Sequence, residues 1–252
     1  SDLVFVTASA GNHGLAVAAG ARAFGARARI VLSDTVPEAF AARLRALDAE
    51  VVRRGADYEA SVAAAVADAA ETGAIHLADG SWPGYVAPPR LVMEGYTVLA
   101  EEMREAFETA GGWPETVYLQ AGVGGLAAAV AQRIRAAWRV QPRIVVVEPE
   151  AAPCLKASVA AGAITSVDGP VSSMGRLDCK TPSMIALEIL RETADAFVAI
   201  SEAAAAEAVR ALAAASLPTT PSGAAGVAAW RAAGAPSGAL AILSEGPEDA
   251  AA

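Results

Sequence analysis

Apolar residues along the chain fall into two rhythms. Short unbroken runs such as Leu3-Val4-Phe5-Val6, Ala28 to Leu32 and Ile144 to Val147 have the length and composition of buried strands. Between them lie longer, alanine-rich stretches with helical spacing. The pattern predicts strands at Leu3–Val6, Ala28–Leu32, Glu50–Arg53, Ile75–Leu77, Thr116–Leu119, Ile144–Val147, Ala196–Ile200 and Leu240–Leu243. It predicts helices at Leu15–Phe24, Pro37–Leu47, Leu91–Ala110, Leu126–Trp138, Ala152–Ala160, Pro182–Arg191 and Glu202–Ala215. Two more are marked by their starts: one capped by Asp57 and running to Thr72, and one opened by Thr219-Thr220-Pro221-Ser222-Gly223 and running to Ala233. Gly169 to Cys179 reads as irregular.

Strand and helix alternate throughout, and the strands are continuously apolar rather than alternating. This predicts an α/β protein with parallel sheets covered by helices on both faces. The pattern restarts after Gly111-Gly112, which points to two lobes.

Composition narrows the reading. The chain has 252 residues, 54% of them hydrophobic, enough for a substantial core. A net charge of −9 and the lack of a basic stripe argue against nucleic-acid binding. No apolar run is long enough to span a bilayer, and Ser1-Asp2-Leu3 shows no basic signal-peptide start, so no membrane association is expected. Two cysteines, Cys154 and Cys179, form no disulfide framework and fit a reducing cytoplasm. Two histidines and no Cys-x-x-Cys argue against a zinc site built by the protein.

Polar and glycine residues gather where strands end, the edge at which open α/β sheets bind ligands. Ala121-Gly122-Val123-Gly124-Gly125, followed by Leu126, joins a strand to a helix. Its amides could form a nest for phosphate, or the loop could be a tight turn and nothing more. It is neither Gly-x-Gly-x-x-Gly nor a Walker A loop. Ser9-Ala10-Gly11-Asn12-His13-Gly14 is a second such junction, readable as a ligand turn or as a helix cap with a glycine. A single histidine there is more often structural than catalytic, and no acid partner is identifiable, so no Ser-His-Asp triad is proposed. Asp79, beside Gly80, Ser81, Trp82 and Tyr85, could be an acid–base group with a pKa raised against aromatic surface, or an Asx turn. The polar run Ser172 to Lys180, the Thr219–Gly223 helix start and Ser244 are further candidates; Asp178 and Lys180 could equally be solvated surface.

In this order, the motifs resemble the fold type II pyridoxal phosphate (PLP) enzymes, the tryptophan synthase β-like family. Ser9 to Gly14 is similar to that family's Ser-x-Gly-Asn-His-Gly turn, which implies that Asn12 bonds the cofactor's 3′-oxygen and that Ser9, Gly11 and His13 hold the substrate carboxylate. Gly122, Val123, Gly124, Gly125 and Leu126 match the phosphate cradle, and Ser244 matches the residue that meets the pyridine nitrogen. A hydroxyl there keeps the ring less protonated, which suits elimination. Within the family the match falls on the diaminopropionate ammonia-lyase branch. Its signs are Asp79 to Tyr85, Met93-Glu94-Gly95-Tyr96, Val147-Glu148-Pro149, Met174 to Cys179 and Ser222 to Gly226.

The resemblance implies PLP as cofactor, a small amino-acid substrate with 2,3-diaminopropionate first, a homodimer, and Asp79 as a catalytic proton-transfer group. It also implies a small lobe over residues 1–97 and a large, phosphate-binding lobe over 98–252 that lacks its N-terminal part. Two departures stand out. Ala10 replaces an aspartate usual in the ammonia-lyases, which moves the turn toward the serine/threonine dehydratase form; the alternative within the family is a serine/threonine dehydratase or racemase. The family's Schiff-base lysine precedes the Ser-x-Gly-Asn-His turn, and neither Lys156 nor Lys180 matches it. That lysine is expected on a missing N-terminal segment; a chain that truly lacked it would be a non-catalytic ligand-binding paralogue.

Overall fold

A computed structural model describes residues 2–56 and 58–247. The elements run β1 (Val4–Ala8), α1 (Asn12–Ala23), β2 (Arg27–Leu32), α2 (Glu38–Arg45), β3 (Glu50–Arg53), α3 (Tyr58–Thr72), β4 (Ile75–His76) and α4 (Ala87–Ala110). They continue with β5 (Thr116–Gln120), α5 (Gly125–Ala137), β6 (Arg143–Pro149), α6 (Cys154–Ala161), α7 (Met184–Thr193), β7 (Ala196–Ile200), α8 (Glu202–Ala214), α9 (Pro221–Ala232) and β8 (Ala239–Ala241). Each strand and helix read from the apolar pattern has its counterpart. The proposed Asp57 cap lies outside the described residues.

The differences have local causes. α4 starts at Ala87, ahead of the expected Leu91, because Pro88 and Pro89 sit in its first turn, where no amide is needed for the helix. α6 starts at Cys154 because the Glu148 carboxylate accepts from the Leu155 and Lys156 amides and fixes the first turn there. β8 stops at Ala241, so Ser244 lies past the strand in a segment without regular structure.

The chain forms two compact units that divide between Ala78 and Asp79. The boundary expected after residue 97 falls inside α4, one continuous helix that packs along α5. In the first unit the sheet order is β3-β2-β1-β4, all pairs parallel. Ala28, Ile30 and Leu32 face α1 and α2, packing with Val17, Phe40 and Leu44. Val6, Ala8 and Val31 face the other way, toward Ala65 of α3.

The second unit repeats this order as β7-β6-β5-β8, again parallel. Val117, Leu119, Ile144 and Val146 pack with α5 and α7 on one face. Tyr118, Val145 and Val147 pack with α8 and α9 on the other. This is the two-periodicity of a strand with both faces buried.

In each sheet the chain builds outward from its first strand and then crosses to that strand's other side for the last one. The order therefore reverses between β1 and β4, and again between β5 and β8. At such a point the connections leave the carboxyl edge in opposite directions and open a ligand crevice. The two glycine turns leave β1 and β5, the strands at the reversals.

Candidate active site

In the first unit, the turn after β1 is held by its own serine. Ser9 Oγ accepts from the Gly14 amide at 3.0 Å and from the Gly11 amide at 3.3 Å. The residue directly before α1 is Gly11, with no side-chain cap, so Ser9 caps the helix from two residues further back. Gly14 is required by this closeness: a Cβ there would stand 2.8 Å from the Ser9 carbonyl oxygen. Buried His13 places Nε2 2.8 Å from the Leu77 carbonyl oxygen, past the end of β4. A carbonyl only accepts, so His13 is protonated on Nε2 and ties α1 to the strand across the reversal. Asn12 is the first residue of α1 and is exposed. Burial, then the nearby His13, lowers the His76 pKa.

In the second unit, the glycine loop is shaped by its surroundings. Gly124 is left-handed, with φ 100°, and precedes α5 without any side-chain cap. Gly125 and Leu126 open the helix, whose first bond to the loop is from the Ala128 amide to the Gly124 carbonyl at 2.9 Å. The first-turn amides thus point out of the helix with no helical acceptor. Val123 accepts from the Ser183 amide at 2.9 Å. A Cβ on Gly122 would stand 2.8 Å from the Arg176 carbonyl oxygen and 2.9 Å from Cys179 Sγ; one on Gly124 would stand 3.1 Å from Leu155. Two other helix starts in this unit are closed by side chains: Ser201 Oγ caps α8, and Thr220 Oγ1 accepts from the Gly223 amide to cap α9. The Thr219–Gly223 start is therefore a cap, while the α5 start carries none.

Asp79 lies against the same loop. Its carbonyl is 3.9 Å from where a Cβ on Gly125 would stand, with the Tyr96 ring at 4.0 Å. Burial, and then the Asp79 charge, pushes the Tyr96 hydroxyl up to about 12, so it stays protonated. Ser81 anchors this segment. Its hydroxyl meets Ser183 Oγ at 2.8 Å and accepts from the Ile185 amide at 2.9 Å, which binds the Asp79–Ser81 turn to the head of α7.

Ser244 stands on the other side of β5. Its Oγ accepts from Gln120 Nε2 at 3.0 Å, while the same amide donates to the Ile242 carbonyl at 2.8 Å. The next residue, Glu245, receives the Thr220 hydroxyl, pairs with Arg176 at 3.4 Å and accepts the Thr219 hydroxyl on its carbonyl at 2.6 Å.

The irregular run is well tied. Lys180 Nζ donates to the Ala151 carbonyl (2.9 Å), the Pro170 carbonyl (3.0 Å) and Asp178 (2.6 Å), so both charged residues are internal clamps rather than solvated surface. Ser172 Oγ donates to Glu202 at 2.5 Å, and the Ser173 amide to the same carboxylate at 3.0 Å. Lys156 is exposed on α6. Fully buried Glu148 is pushed up to about 7 by desolvation, against the pull of the Leu155 and Lys156 amides. Burial also drives the Cys154 thiol well above the usual range. Both cysteines are thiols.

The sequence alone assigns no role to Gln120, Ser183, Glu202 or Glu245. Gln120 carries a readable signal, a polar residue closing an apolar strand just before a glycine loop. The others depend on contacts distant along the chain.

The class follows from a parallel sheet order that occurs twice, with a glycine loop and a serine hydroxyl near one reversal. The chain belongs to the family of pyridoxal-phosphate dependent enzymes, which matches residues 2–245. It is 32% identical over 212 residues to diaminopropionate ammonia-lyase of Escherichia coli K12, covering 83% of this chain and 53% of that protein. Against the Salmonella typhimurium enzyme of the same name it is 35% identical over 214 residues, with the same coverage. A solved structure of the Escherichia coli enzyme in complex with D-serine superposes with a TM-score of 0.87 at 27% identity, over 99% of this chain and 68% of that one. A solved threonine deaminase from T.th. superposes with a TM-score of 0.88 at 29% identity, over 100% and 80%. The chain spans about half the length of the curated diaminopropionate ammonia-lyases it matches.

The residues present fit the family's cofactor at both ends of the ring: first-turn amides beside Gly122 and Gly124, where a Cβ would be crowded, for the phosphate, and the Ser244 hydroxyl for the pyridine nitrogen. Among the described residues, no helix is long and apolar enough to cross a membrane.

Proposed function

We propose that the whole protein is a PLP-dependent ammonia-lyase that eliminates across the α and β carbons of a small amino acid, 2,3-diaminopropionate first, releasing ammonia and a 2-oxo acid. The observation that carries this reading is the uncapped head of α5 behind Gly122 to Gly125, in a chain whose relatives bear the name diaminopropionate ammonia-lyase. When bound, the cofactor's ring takes up the electron pair left by loss of the α-proton.

The chain's residues supply the rest. Gly122, Val123, Gly124, Gly125 and Leu126 hold the phosphate dianion through amides and the α5 dipole. Ser244 meets the ring nitrogen. Asn12 bonds the ring's 3′-oxygen, and the turn of Ser9, Gly11 and His13 takes the substrate carboxylate at the head of α1. Asp79 moves a proton at the reacting end of the substrate. We further propose a homodimer that works in the cytoplasm, a reading supported by the family resemblance and the two thiols.

A second reading, serine/threonine dehydratase, is favoured by Ala10 in the turn and by 28% identity over 204 residues to L-threonine ammonia-lyase of Thermotoga maritima, which covers 81% of this chain and 48% of that protein. Ammonia and 2-oxo acid release by the full-length protein separates the two. The first reading expects 2,3-diaminopropionate to be the better substrate; preference for L-threonine favours the second, and release from neither overturns both.

A further inference from the structure

Ser244 can meet a ring nitrogen in two ways, giving its hydroxyl proton or receiving one, and the two leave the ring in different protonation states. Gln120 decides between them. Its side-chain amide is buried, 3% exposed, at the carboxyl end of β5. The Ile242 carbonyl 2.8 Å away has no proton to give, so the group facing it must be the NH2; reversed, two oxygens would face each other. The second hydrogen of that NH2 goes to Ser244 Oγ at 3.0 Å. Gln120 Oε1 is turned to α9, 3.4 Å from where a Cβ on Gly226 would stand, and among the described residues it has no hydrogen-bond partner. The amide is held in this orientation although its oxygen goes unsatisfied, so satisfying Ile242 and Ser244 outweighs that loss.

A serine hydroxyl has one proton and two lone pairs. With one lone pair occupied by Gln120, the proton is turned away from that side and is free for a group opposite it. We infer that Gln120 is a positioning residue that fixes Ser244 as a hydrogen-bond donor to the cofactor's ring nitrogen and so holds that nitrogen unprotonated. The inference rests on the PLP reading of the site. It concerns residues of the second unit alone.

The test is nitrogen NMR of the full-length protein loaded with PLP labelled with 15N in the ring, titrated through the neutral range. The wild type is expected to show an unprotonated ring nitrogen throughout. In Gln120→Met the hydroxyl is free to turn, and the ring nitrogen's apparent pKa is expected to rise by about one unit, the scale of one hydrogen bond. In Gln120→Glu the carboxylate draws the Ser244 proton to itself, and a protonated ring nitrogen is expected. A merely structural role for Gln120 would change stability without moving this resonance. A wild-type nitrogen that is already protonated overturns the inference whether or not either variant folds. Unchanged titration in two folded, loaded variants overturns it too, with the PLP reading intact. Failure of the wild type to bind PLP overturns that reading and the inference with it.

Discussion

The two units share one sheet order, and each places a glycine turn at the reversal, yet the turns are built in opposite ways. After β1, Ser9 closes the turn itself, taking two amides of the turn and the next helix onto its own hydroxyl. After β5, no side chain caps α5, and the loop is shaped from outside by Arg176, Cys179 and Leu155. Topology sets where a ligand crevice opens. Whether the helix start within it can hold an anion is set by which neighbouring side chain has already taken its amides.

If the second turn is the phosphate cradle, the largest effect should come from filling it. Gly122→Ala would put a Cβ against the Arg176 carbonyl and Cys179, both on a segment clamped by Lys180 and Glu202. PLP affinity of the full-length protein should fall by about 100-fold or more, with about 1–3 kcal/mol lost in stability. Equilibrium dialysis and urea unfolding measure the two losses; unchanged affinity would count against the cradle.

Glu148 sharpens the contrast, since it does for α6 what Ser9 does for α1, but with an ionisable group. Its carboxyl sits near 4.5 when unfolded and is raised to about 7 in the fold. Between these values the unfolded chain has released a proton that the folded chain keeps. Stability contributed by this group is therefore greatest below about pH 4.5, falls as pH rises toward 7, and is flat beyond. Urea unfolding of the wild type against Glu148→Gln should show their difference shift in the wild type's disfavour across that window; a difference independent of pH contradicts the assignment.

Gly14→Ala tests the self-closed turn. Its Cβ would meet the Ser9 carbonyl at 2.8 Å, for an expected loss of about 1–3 kcal/mol by urea unfolding, while PLP phosphate affinity stays within about threefold. Smallest is Ser9→Ala, which removes the cap and should lower stability by about 1 kcal/mol in the same measurement. Equal losses of PLP affinity in the Gly14 and Gly122 variants would erase the distinction between the turns.

Much of this was legible in the sequence because it is local. Continuous apolar runs marked the strands, and the glycine and proline boundaries marked the helices. The repeated sheet order was not legible, since crossing from β3 to β4 leaves no mark in the residues that cross. Asp79 and Ser244 were visible as polar residues at strand ends. The partners Ser183, which holds the Asp79 turn through Ser81, and Gln120, which holds Ser244, were not. Each pair is brought together across more than a hundred residues by the packing of the second unit. The division at Ala78 leaves no mark in the sequence: α4 looks alike on both sides of residue 97, and its packing on α5 groups it with the second unit.

The most direct test is a crystal structure of the full-length protein grown with PLP. Phosphate oxygens on the amides of Gly122 to Leu126, with the ring nitrogen within hydrogen-bond reach of Ser244 Oγ, is the predicted result. Phosphate bound elsewhere, with the head of α5 facing only water, would contradict it.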